Sequence, residues 1–471
     1  MHGPEDARQE TEVWLPRLGN IAASQQARLW VVGGWVRDRL LSRPSADLDL
    51  VIEGEPRPFI DALGTLTGHP PVRFERAGIV TWRFVAAEGP VDVTSCPAGG
   101  LGPELRRRDI TINAMAAPVK AHGVDMLAVV DPLGGHADLV ARRIRVTSED
   151  ALAADPLRLL RVIRLAVVLD FTVERATLEA IAGMTEALAR VAAERVAAEM
   201  EQILVSGRAA IGLRLMQQTG LLRQALPFLT PLEGLAQNRW HAHDALEHTL
   251  RACAAMERQR GSMPEIGLDE PVDGEDLEVL MWAALLHDAG KAATATRDEE
   301  GQVHFFGHEI ASAEIAQRFL RDLRIAGRTI DRTTLLVRHH LRPILLSSGT
   351  EATERAVRRL VNLMKEDTAL LCRLALADLE AAGGEHAAER RDSLHRLVAR
   401  VMRASASEGG RLMAPSPLLS GEEVMELLAI GPGPRVGAVM RWLTRLQVDQ
   451  RVTTRDEATA LLRSLPPSRL G

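Results

Sequence analysis

The sequence predicts an α+β protein, in which a small mixed and mostly antiparallel sheet near the N-terminus is followed by all-α regions. Two observations support this prediction. Short apolar runs bounded by turn residues recur between residues 29 and 146, which is typical of strands. Beyond residue 148 apolar residues recur at three- and four-residue spacing, which is typical of amphipathic helices. The predicted elements of the first region are strands at Leu29–Val32, Leu48–Ile52, Val72–Phe74, Val80–Val85, Val91–Thr94 and Met126–Val130, and helices at Pro58–Leu66 and around Leu105–Ala116.

Composition limits the classes of function. The 471 residues suffice for three or four domains, and 46% hydrophobic and 25% charged residues are those of an ordinary globular protein. A net charge of −6 argues against a generic polyanion binder, so a nucleic-acid site has to come from local arginine clusters. Three distant cysteines argue against a disulfide framework. No signal-like segment and no apolar run of ~18 residues is evident, so we expect a cytoplasmic protein without a membrane partner.

The stretch after the first predicted strand combines a bare turn with paired carboxylates. Gly33 and Gly34 break the apolar run, and without side chains they leave room for phosphate to approach backbone N–H groups. The positively charged guanidinium of Arg37, which can donate two hydrogen bonds to phosphate, lies nearby in the sequence. Asp47 and Asp49 alternate with leucines on the next predicted strand, so both side chains face the same side. Two carboxylates on one face repel each other unless a cation lies between them, and such oxygen ligands suit Mg²⁺. The alternative is a solvated strand edge beside an ordinary turn.

A third carboxylate occurs further along the chain. Asp92 lies between two valines of a predicted strand and faces opposite to them. Because a buried lone Asp is costly unless it is paired or bound to a metal, Asp92 could complete an acid cluster for one or two Mg²⁺ ions. The alternative is an exposed strand end.

Three arginines recur on a predicted helix of the second region. Arg158, Arg161 and Arg164 are spaced every three residues, and like charges this close destabilise each other unless an anion lies among them. A triphosphate or an RNA backbone would supply that anion. An exposed basic helix face is the alternative.

Two motifs carry a family resemblance. The string Gly33-Gly34-Trp35-Val36-Arg37-Asp38, followed by Asp47-x-Asp49, resembles the head domain of the nucleotidyltransferases that build tRNA 3′ ends, which bacterial poly(A) polymerases share. The string from Arg107 to Ala114 resembles the RRDxTxNA motif of the same family, with Ile110 in place of the usual aromatic residue.

The resemblance implies roles for these residues. Asp47, Asp49 and Asp92 would hold Mg²⁺ while the tRNA 3′-hydroxyl attacks the α-phosphate of a nucleotide. Asp155 and Arg158 match part of an EDxxR element that hydrogen-bonds the incoming base, although the family's Glu is Ala154 here. The nucleotide-binding residues implied in this way are Gly33, Gly34, Arg37, Asp38, Arg108, Asp109, Asp155, Arg158, Arg161 and Arg164.

The segment between the third acid and the RRD motif is short. Only fourteen residues, 93–106, separate Asp92 from Arg107. By the resemblance, enzymes that add the full CCA end carry a longer segment with a flexible loop here, and enzymes that stop after two cytidines lack that loop. The sequence therefore favours CC addition over full CCA addition.

A histidine-rich region follows. The string Leu285-Leu286-His287-Asp288-Ala289-Gly290-Lys291 resembles HD-domain metal-dependent phosphohydrolases. His and carboxylate side chains suit a divalent transition metal. The resemblance implies a metal held by His248, His287 and Asp288, with Asp378 as a candidate fourth ligand, and it implies that His308 and His339 bind phosphate or a second metal. The alternative is an HD fold kept only as a packing module.

Together the motifs predict a template-independent tRNA 3′-end nucleotidyltransferase that adds cytidines from CTP to immature tRNA, with ATP as a further substrate if the full CCA end is made. A poly(A) polymerase, an HD phosphohydrolase with an RNA-binding head, and an RNA-binding protein without turnover are the alternatives. DNA is not an expected partner. The expected domains are a head at 1–147, a helical neck at 148–238, an HD domain at 239–385 and a helical tail at 386–471.

Overall fold

The structure is a computed structural model, and its contacts divide the chain into two compact units. One unit comprises Met1–Ser206 and Ile211–Ala225, and the other comprises Gly207–Ala210 and Leu226–Gly471. Among the described residues, no helix combines the length and the apolar character that a bilayer crossing requires. The structure describes residues 15–45, 48–76, 79–86, 89–96, 99–238, 240–349, 351–408, 417–448 and 451–464.

The first unit is built on a seven-stranded sheet. Its strands are β1 (Arg28–Val32), β2 (Leu48–Glu53), β3 (Val72–Arg76), β4 (Ile79–Ala86), β5 (Gly89–Ser95), β6 (Ala116–Lys120) and β7 (Gly123–Val124). They lie in the order β3-β4-β5-β2-β1-β6-β7. The pair β2–β5 is parallel and the remaining pairs are antiparallel, which confirms the predicted mixed and mostly antiparallel sheet.

The two faces of this sheet differ because strand side chains alternate. Leu50 pairs with Val93 and Phe84 pairs with Val91, and all four side chains are buried on one face. The opposite face carries the acids at positions 49 and 92, since these residues alternate with the buried ones. Alternation thus gives the sheet one packed face and one face that carries Asp49 and Asp92, which we call the chemical face.

Helices and short ladders complete the first unit. The head and neck helices are α1 (15–24), α2 (Gly34–Leu40), α3 (Pro56–Thr67), α4 (Leu101–Arg106), α5 (Gly135–Val140), α6 (Glu149–Ala154), α7 (Arg158–Leu169), α8 (Arg175–Ala182), α9 (Ala193–Leu204), α10 (Ala209–Thr219) and α11 (Leu221–Ala225). A two-stranded parallel ladder joins β8 (Arg143–Ile144) to β9 (Thr172–Val173).

Two predicted elements differ from the structure. The predicted strand Met126–Val130 is a 3₁₀ turn over Met126–Ala128, and only Val130 forms a bridge, to Ala116. The prediction of a helix around Leu105–Ala116 is also wrong, because α4 ends at Arg106 and β6 begins at Ala116. The side chain of Asp125 accepts a hydrogen bond from the backbone N–H of Leu127, which favours the turn over an extended strand.

The second unit is a helical layer with one short hairpin. Helix α13 is buried along almost its whole length, from Leu277 to Leu286, which explains why it lacks a polar face. The elements are α12 (Ala245–Gln259), α13 (Gly274–Leu286), α14 (Lys291–Thr294), β10 (Thr296–Arg297), β11 (Val303–His304), α15 (His308–Asp322), α16 (Gly327–His339), α17 (Leu341–Ser347), α18 (Glu354–Met364), α19 (Thr368–Ala382), α20 (Ala387–Glu408), α21 (Gly421–Leu428), α22 (Pro434–Val448) and α23 (Arg455–Arg463). The last three helices share their own apolar cluster, which includes Val424, Leu443 and Leu462.

Candidate functional sites

Two carboxylates face each other across the parallel pair β2–β5. Asp49 lies directly opposite Asp92 in the register, so both side chains project from the chemical face of the sheet. Their side chains are 42% and 22% exposed, respectively, so both are accessible to a ligand. Asp47, the third acid of the predicted cluster, lies outside the described residues.

Each described acid has an arginine beside it. Arg83 on β4 is the register partner of Asp92, and its Nε and Nη2 donate to the two carboxylate oxygens at 2.8 and 2.6 Å. On the other side, Nη1 of Arg108 lies 3.6 Å from Oδ2 of Asp49. Arg108 and Arg107 also contact the fully buried Glu104. The acid pair is therefore bracketed by positive charge on both sides along the sheet.

Gly33 allows the backbone to pass close to this group. Its φ is +77°, a conformation that favours glycine. A Cβ atom at this position would lie 2.6 Å from Nη1 of Arg108 and 3.1 Å from Oδ2 of Asp49. Any side chain here would displace the arginine that neighbours the acid, which supports the sequence interpretation of a bare turn.

Arg37 and Asp38 lie on α2 and form a pair with each other. The Arg37 guanidinium donates Nε and Nη2 to the Asp38 carboxylate, each at 2.8 Å, and Nη1 to Oδ1 of Asn113, also at 2.8 Å. These contacts connect α2 to the 3₁₀ turn at Thr111–Asn113. Arg37 therefore links the glycine turn to the RRD motif.

Asp109 is a buried centre of hydrogen bonds. Its Oδ1 accepts from the N–H of Ile110 at 2.9 Å and from Nδ2 of Asn113 at 3.1 Å, and its Oδ2 accepts from Nε of Arg161 at 2.6 Å. Burial would raise the pKa of Asp109, but the Arg161 charge and the Asn113 hydrogen bond outweigh it and hold the pKa below its usual value. The same ion pair raises the pKa of Arg161. Asp109 thus orients an arginine of α7 toward the head.

The two predicted base-reading residues are held in place by other groups. Asp155 accepts from both Nη atoms of Arg195 on α9, at 3.3 and 2.8 Å. Nη1 of Arg158 donates to the carbonyl oxygens of Arg107 and Ala151, each at 2.8 Å. Burial lowers the pKa of Arg158 below the usual arginine value. The orientations of both side chains are fixed by these contacts.

A cavity of about 270 Å³ brings most of these residues together. Of the predicted site residues it includes Asp49, Asp92, Arg108, Asp109, Asp155, Arg158 and Arg161. Arg164 is not among its lining residues and instead pairs with Glu199 at 2.6 Å. The lining also does not include Gly33, Gly34, Arg37 and Asp38.

Sequence reasoning missed several lining residues, namely Thr81, Thr94, Glu104, Arg107 and Arg195. The hydroxyl oxygens of Thr81 and Thr94 lie 3.1 Å apart on neighbouring strands. The alternation that identified Asp92 also places Thr94 on the same face, so this signal was present. Arg195 had no such local signal, because its partner Asp155 lies forty residues away in the sequence.

Six buried side chains form a second cluster in the other unit. Nε2 of His248 lies 3.2 Å from Nε2 of His287 and 3.1 Å from Oδ1 of Asp378, and these three form one group that could hold a metal ion. Asp288, His308 and His340 form another group, with 3.3 Å between Nε2 of His308 and Nε2 of His340.

Asp288 connects the two groups. Its Oδ2 lies 3.1 Å from Nε2 of His287, 3.2 Å from Nε2 of His248 and 2.6 Å from Nζ of Lys291. Its Oδ1 lies 3.3 Å from Nε2 of His308. Burial would raise the pKa of Asp288, but these positive neighbours hold it well below the usual value. The ionised carboxylate therefore presents one oxygen to each group.

The imidazole rings are oriented by backbone carbonyl groups. Nδ1 of His287, His308 and His340 lies 2.7–2.9 Å from the carbonyl oxygens of Ala284, Phe305 and Val337. A carbonyl only accepts, so each Nδ1 carries a proton, and in the neutral ring the lone pair of Nε2 points into the cluster. This tautomer is the one that ligates a metal through Nε2, and the donor set of imidazole and carboxylate fits a divalent transition metal.

His340 occupies the place predicted for His339. His340 is fully buried, whereas His339 is only partly buried and its Nδ1 accepts a hydrogen bond from Nε of Arg342 at 3.1 Å. Burial, together with the charges of His287 and His308, lowers the pKa of His340 to about 3, which keeps the imidazole neutral. The second group thus contains His340 and not the predicted His339.

A cleft of about 840 Å³ opens onto the second cluster. It includes Asp288, Lys291, His308 and Asp378, and its walls include Phe306 and Leu345, which are largely exposed. His241, also in the wall, is neutral because burial and the charges of Lys291 and His248 lower its pKa to about 3. The cleft is large enough for a ligand of nucleotide size.

Comparisons with known proteins find matches for both parts of the chain. Three family descriptions match: "Poly A polymerase head domain" at residues 29–145, "Probable RNA and SrmB- binding site of polymerase A" at 170–233, and "HD domain" at 245–383. The A-adding tRNA nucleotidyltransferase of Deinococcus radiodurans is 36% identical, covering 92% of this chain and 94% of the relative. The chain belongs to the tRNA nucleotidyltransferase family. Within that family, the CC-adding enzyme of Thermus thermophilus is 34% identical over 92% of each chain.

Solved structures support the fold of this tRNA nucleotidyltransferase family member. The Bacillus stearothermophilus CCA-adding enzyme in complex with CTP matches with a TM-score of 0.60 at 21% identity, covering 98% of this chain and 97% of that one. The Thermotoga maritima CCA-adding enzyme complexed with tRNA matches with a TM-score of 0.59 at 19% identity, covering 95% and 94%. The resemblance seen in the sequence motifs is confirmed, and the protein is a nucleotidyltransferase.

Proposed function

We propose that this nucleotidyltransferase adds cytidines from CTP to the 3′ end of immature tRNA. The observation that supports cytidine as the substrate is the short connection after the third acid. Strand β5 ends at Ser95 and helix α4 begins at Leu101, so five residues join them. The family resemblance associates a longer, loop-bearing segment at this place with the switch to ATP. A chain without that segment is expected to stop after two cytidines.

The acid pair supports metal-dependent transfer. Asp49 and Asp92, together with Asp47, would hold Mg²⁺, because carboxylate oxygens are the ligands it prefers. When bound, Mg²⁺ would promote ionisation of the 3′-hydroxyl and offset the charge of the departing pyrophosphate. In the reaction, the 3′-oxygen forms a bond to the α-phosphorus, the bond to the bridging oxygen breaks, and pyrophosphate leaves.

The arginines of the cavity would bind the triphosphate. Nε of Arg108 is buried and has no hydrogen-bond partner among the described residues, so a donor is available in the cavity wall. Of the residues that the structure describes, five arginines and five carboxylates line the cavity, and together they carry no net positive charge while the carboxylates are ionised. Binding of a triphosphate therefore requires that some arginines exchange their carboxylate partners for phosphate oxygens, or that cations offset the acids.

Base selection would rest on Asp155 and Arg158. A carboxylate can accept from the amino group of cytosine, and a guanidinium can donate to base acceptors. Arg195 holds the Asp155 carboxylate at two points, and two carbonyl oxygens hold Arg158, so neither group has to be ordered when the nucleotide binds. A fixed pair of side chains would thus serve in place of a template base.

Primer extension tests the proposal directly. tRNA transcripts ending before the CCA, after the first C and after CC are incubated with CTP, ATP or both. With CTP, we expect the protein to add two cytidines to the transcript that ends before the CCA. With ATP, we expect it to add no adenosine to the transcript that ends in CC. Addition of A alone to the transcript ending in CC would reassign the protein to A addition, and complete CCA synthesis would remove the restriction to cytidine. Homopolymer tails on unrelated RNA would indicate a poly(A) polymerase.

The histidine cluster favours a second activity, metal-dependent phosphate ester hydrolysis. The supporting observation is the shared Asp288 carboxylate between two groups of inward-facing Nε2 atoms. The protein is assayed with bis(p-nitrophenyl) phosphate and Mn²⁺, Co²⁺, Ni²⁺ or Zn²⁺. We expect the wild type and Asp49→Ala to hydrolyse the substrate and Asp288→Ala to be inactive. No hydrolysis with any of these metals would leave the domain as a packing module.

A further inference from the structure

Three apolar side chains are exposed on the chemical face of the sheet, beside the acid pair. Val72 and Phe74 of β3 and Val85 of β4 are 54%, 49% and 66% exposed. The register places them on the same face as the acids, because Val72 pairs with Arg83, and Arg83 pairs with Asp92. We call these three residues the edge strip. Exposed large apolar side chains on the sheet face that also carries the acids indicate a binding surface.

The order of the strands places the edge strip on one side of the acids and Arg108 on the other. From Asp92 on β5, the sheet continues outward through β4 to β3, where Phe74 lies. In the opposite direction it continues to β2 and β1, beneath α4, whose Leu101 and Leu105 pack against Val32 and Val51. Arg108 follows α4 on this second side and contacts Asp49.

In-line displacement requires the attacking and leaving oxygens to lie on opposite sides of the phosphorus. Arg83 on the β3 side already binds both oxygens of Asp92, whereas Arg108 on the β1 side has a buried Nε without a partner among the described residues, so the leaving pyrophosphate belongs on the β1 side. The attacking 3′-hydroxyl must then approach from the β3 side, across the edge strip. Two strand spacings of about 4.8 Å separate β3 from β5. That separation corresponds to the span of a single nucleoside.

We propose that the edge strip binds the last nucleoside of the RNA primer, with its base stacked on Phe74. An exposed aromatic ring stacks on any base without reading its identity, as required of a site that accepts different tRNA ends. The guanidinium of Arg83 lies 5.9 Å from the centre of the Phe74 ring and binds both oxygens of Asp92. The stacked base would therefore be connected through Arg83 to the acid. This inference rests on the proposed transfer reaction and adds the position of its second substrate.

Photocrosslinking locates the primer without turnover. A tRNA acceptor minihelix carries 5-iodocytidine as its 3′-terminal residue, is irradiated on the full-length protein, and the crosslinked peptide is sequenced. We expect the crosslink at Phe74, and its loss in Phe74→Leu, which keeps an apolar side chain but not the ring. A crosslink confined to peptides outside 72–85 would overturn the inference. Because this readout needs no catalysis, failure of the wild type to add nucleotides would contradict only the proposed transfer.

Steady-state kinetics provide the second measurement. Phe74→Ala should raise KM for tRNA roughly tenfold, in the range for losing a base–aromatic stack, with little change in KM for CTP. Phe74→Trp should restore the wild-type value. Leu127→Ala is the matched control, because Leu127 is also apolar and fully exposed but lies on the turn after β7. Unchanged KM for tRNA in Phe74→Ala, or a change of oligomeric state in that variant by sedimentation, would assign the strip to packing or to a second copy of the chain instead.

Discussion

The two sites of this protein neutralise their carboxylates in opposite ways. In the head, partly exposed acids pair with arginines from other elements, such as Asp92 with Arg83 and Asp155 with Arg195. In the HD region, the fully buried Asp288 is surrounded by the imidazoles of several histidines and by one lysine. Arginine pairs at a surface are weak enough to be exchanged for phosphate. A buried imidazole set with fixed tautomers is arranged for a resident ion.

This difference indicates what each site has to do. The head has to admit and release a triphosphate and an RNA end at each cycle, so its contacts must be reversible. The HD cluster keeps its ligand atoms within a small volume before any ion is bound, because the backbone has already oriented three of the rings. Four variants test how far this contrast extends.

The largest effect is expected from removing an acid of the head. Asp92→Ala should lower kcat for nucleotide addition on the order of a thousandfold, because the carboxylate pair can no longer hold Mg²⁺. Metal content and phosphodiester hydrolysis at the HD cluster should be unchanged. Asp61→Ala is the control, since Asp61 is exposed on α3 and forms its ion pair with Arg57 at the surface. Near-normal addition by Asp92→Ala would remove this carboxylate from the mechanism.

The adjacent histidines of the HD region give a matched pair. His340→Ala should weaken binding of one metal ion on the order of 100-fold, since it removes an inward-facing Nε2. His339→Ala should leave the metal content unchanged, because His339 lies outside both groups. Metal per protein is measured by plasma mass spectrometry after dialysis. Equal metal loss in the two variants would contradict the assignment of His340.

A smaller effect is expected from Arg195, which holds the carboxylate of the predicted base-reading residue Asp155. Arg195→Ala should lower kcat/KM for CTP about tenfold and reduce discrimination against UTP, because the Asp155 carboxylate loses its two-point support. Arg195→Lys should be intermediate, since an ammonium cannot reproduce the fork. Arg175→Ala, at an exposed pair with Glu179, serves as control. A fall in kcat with unchanged discrimination would indicate a purely structural role.

The smallest effect concerns stability rather than turnover. Buried Asp138 accepts hydrogen bonds from Thr111, Arg143 and Arg145. Burial would raise its pKa, but these donors hold it below the usual value. Asp138→Asn should therefore reduce the free energy of unfolding by about 2 kcal/mol at neutral pH.

The pH dependence of this difference follows from its sign. A depressed pKa means that the ionised carboxylate stabilises the fold above the unfolded-state value of about 3.9 and loses that contribution as the pH falls through the lower folded value. The gap between wild type and Asp138→Asn should thus shrink below about pH 4. Urea unfolding followed by tryptophan fluorescence at several pH values measures it. A gap that is constant with pH would mean that charge is not its origin.

Local patterns in the sequence predicted most of the fold and the centre of the head site. Strand alternation predicted that Asp47 and Asp49 face one side and that Asp92 faces away from its valine neighbours, and the apolar spacing predicted the helical region. Alternation also contained the signal for Thr94. For the histidine pair, buried Thr333, Leu336 and Val337 place position 340 on the inner side of the helix, since residues three and four apart share a face.

Other features depended on long-range packing and had no local signal. Arg195 reaches Asp155 from a different helix, and Arg83 reaches Asp92 only because β4 pairs with β5 in one register. Arg164 repeats the spacing of Arg158 and Arg161 but points to Glu199. Spacing alone could not separate it from its neighbours, because a three-residue repeat drifts around a helix with 3.6 residues per turn.

The two adjacent glycines of the head, Gly33 and Gly34, differ in the substitutions that they tolerate. At Gly34 the nearest atom to an added Cβ is 3.4 Å away, an ordinary contact, whereas at Gly33 it is 2.6 Å away and the backbone angle is positive. A saturation library selected for tRNA repair should therefore recover alanine at codon 34 and only glycine at codon 33. In a natural population, a missense change at codon 33 would be eliminated by selection even though it substitutes none of the carboxylates and arginines of the site.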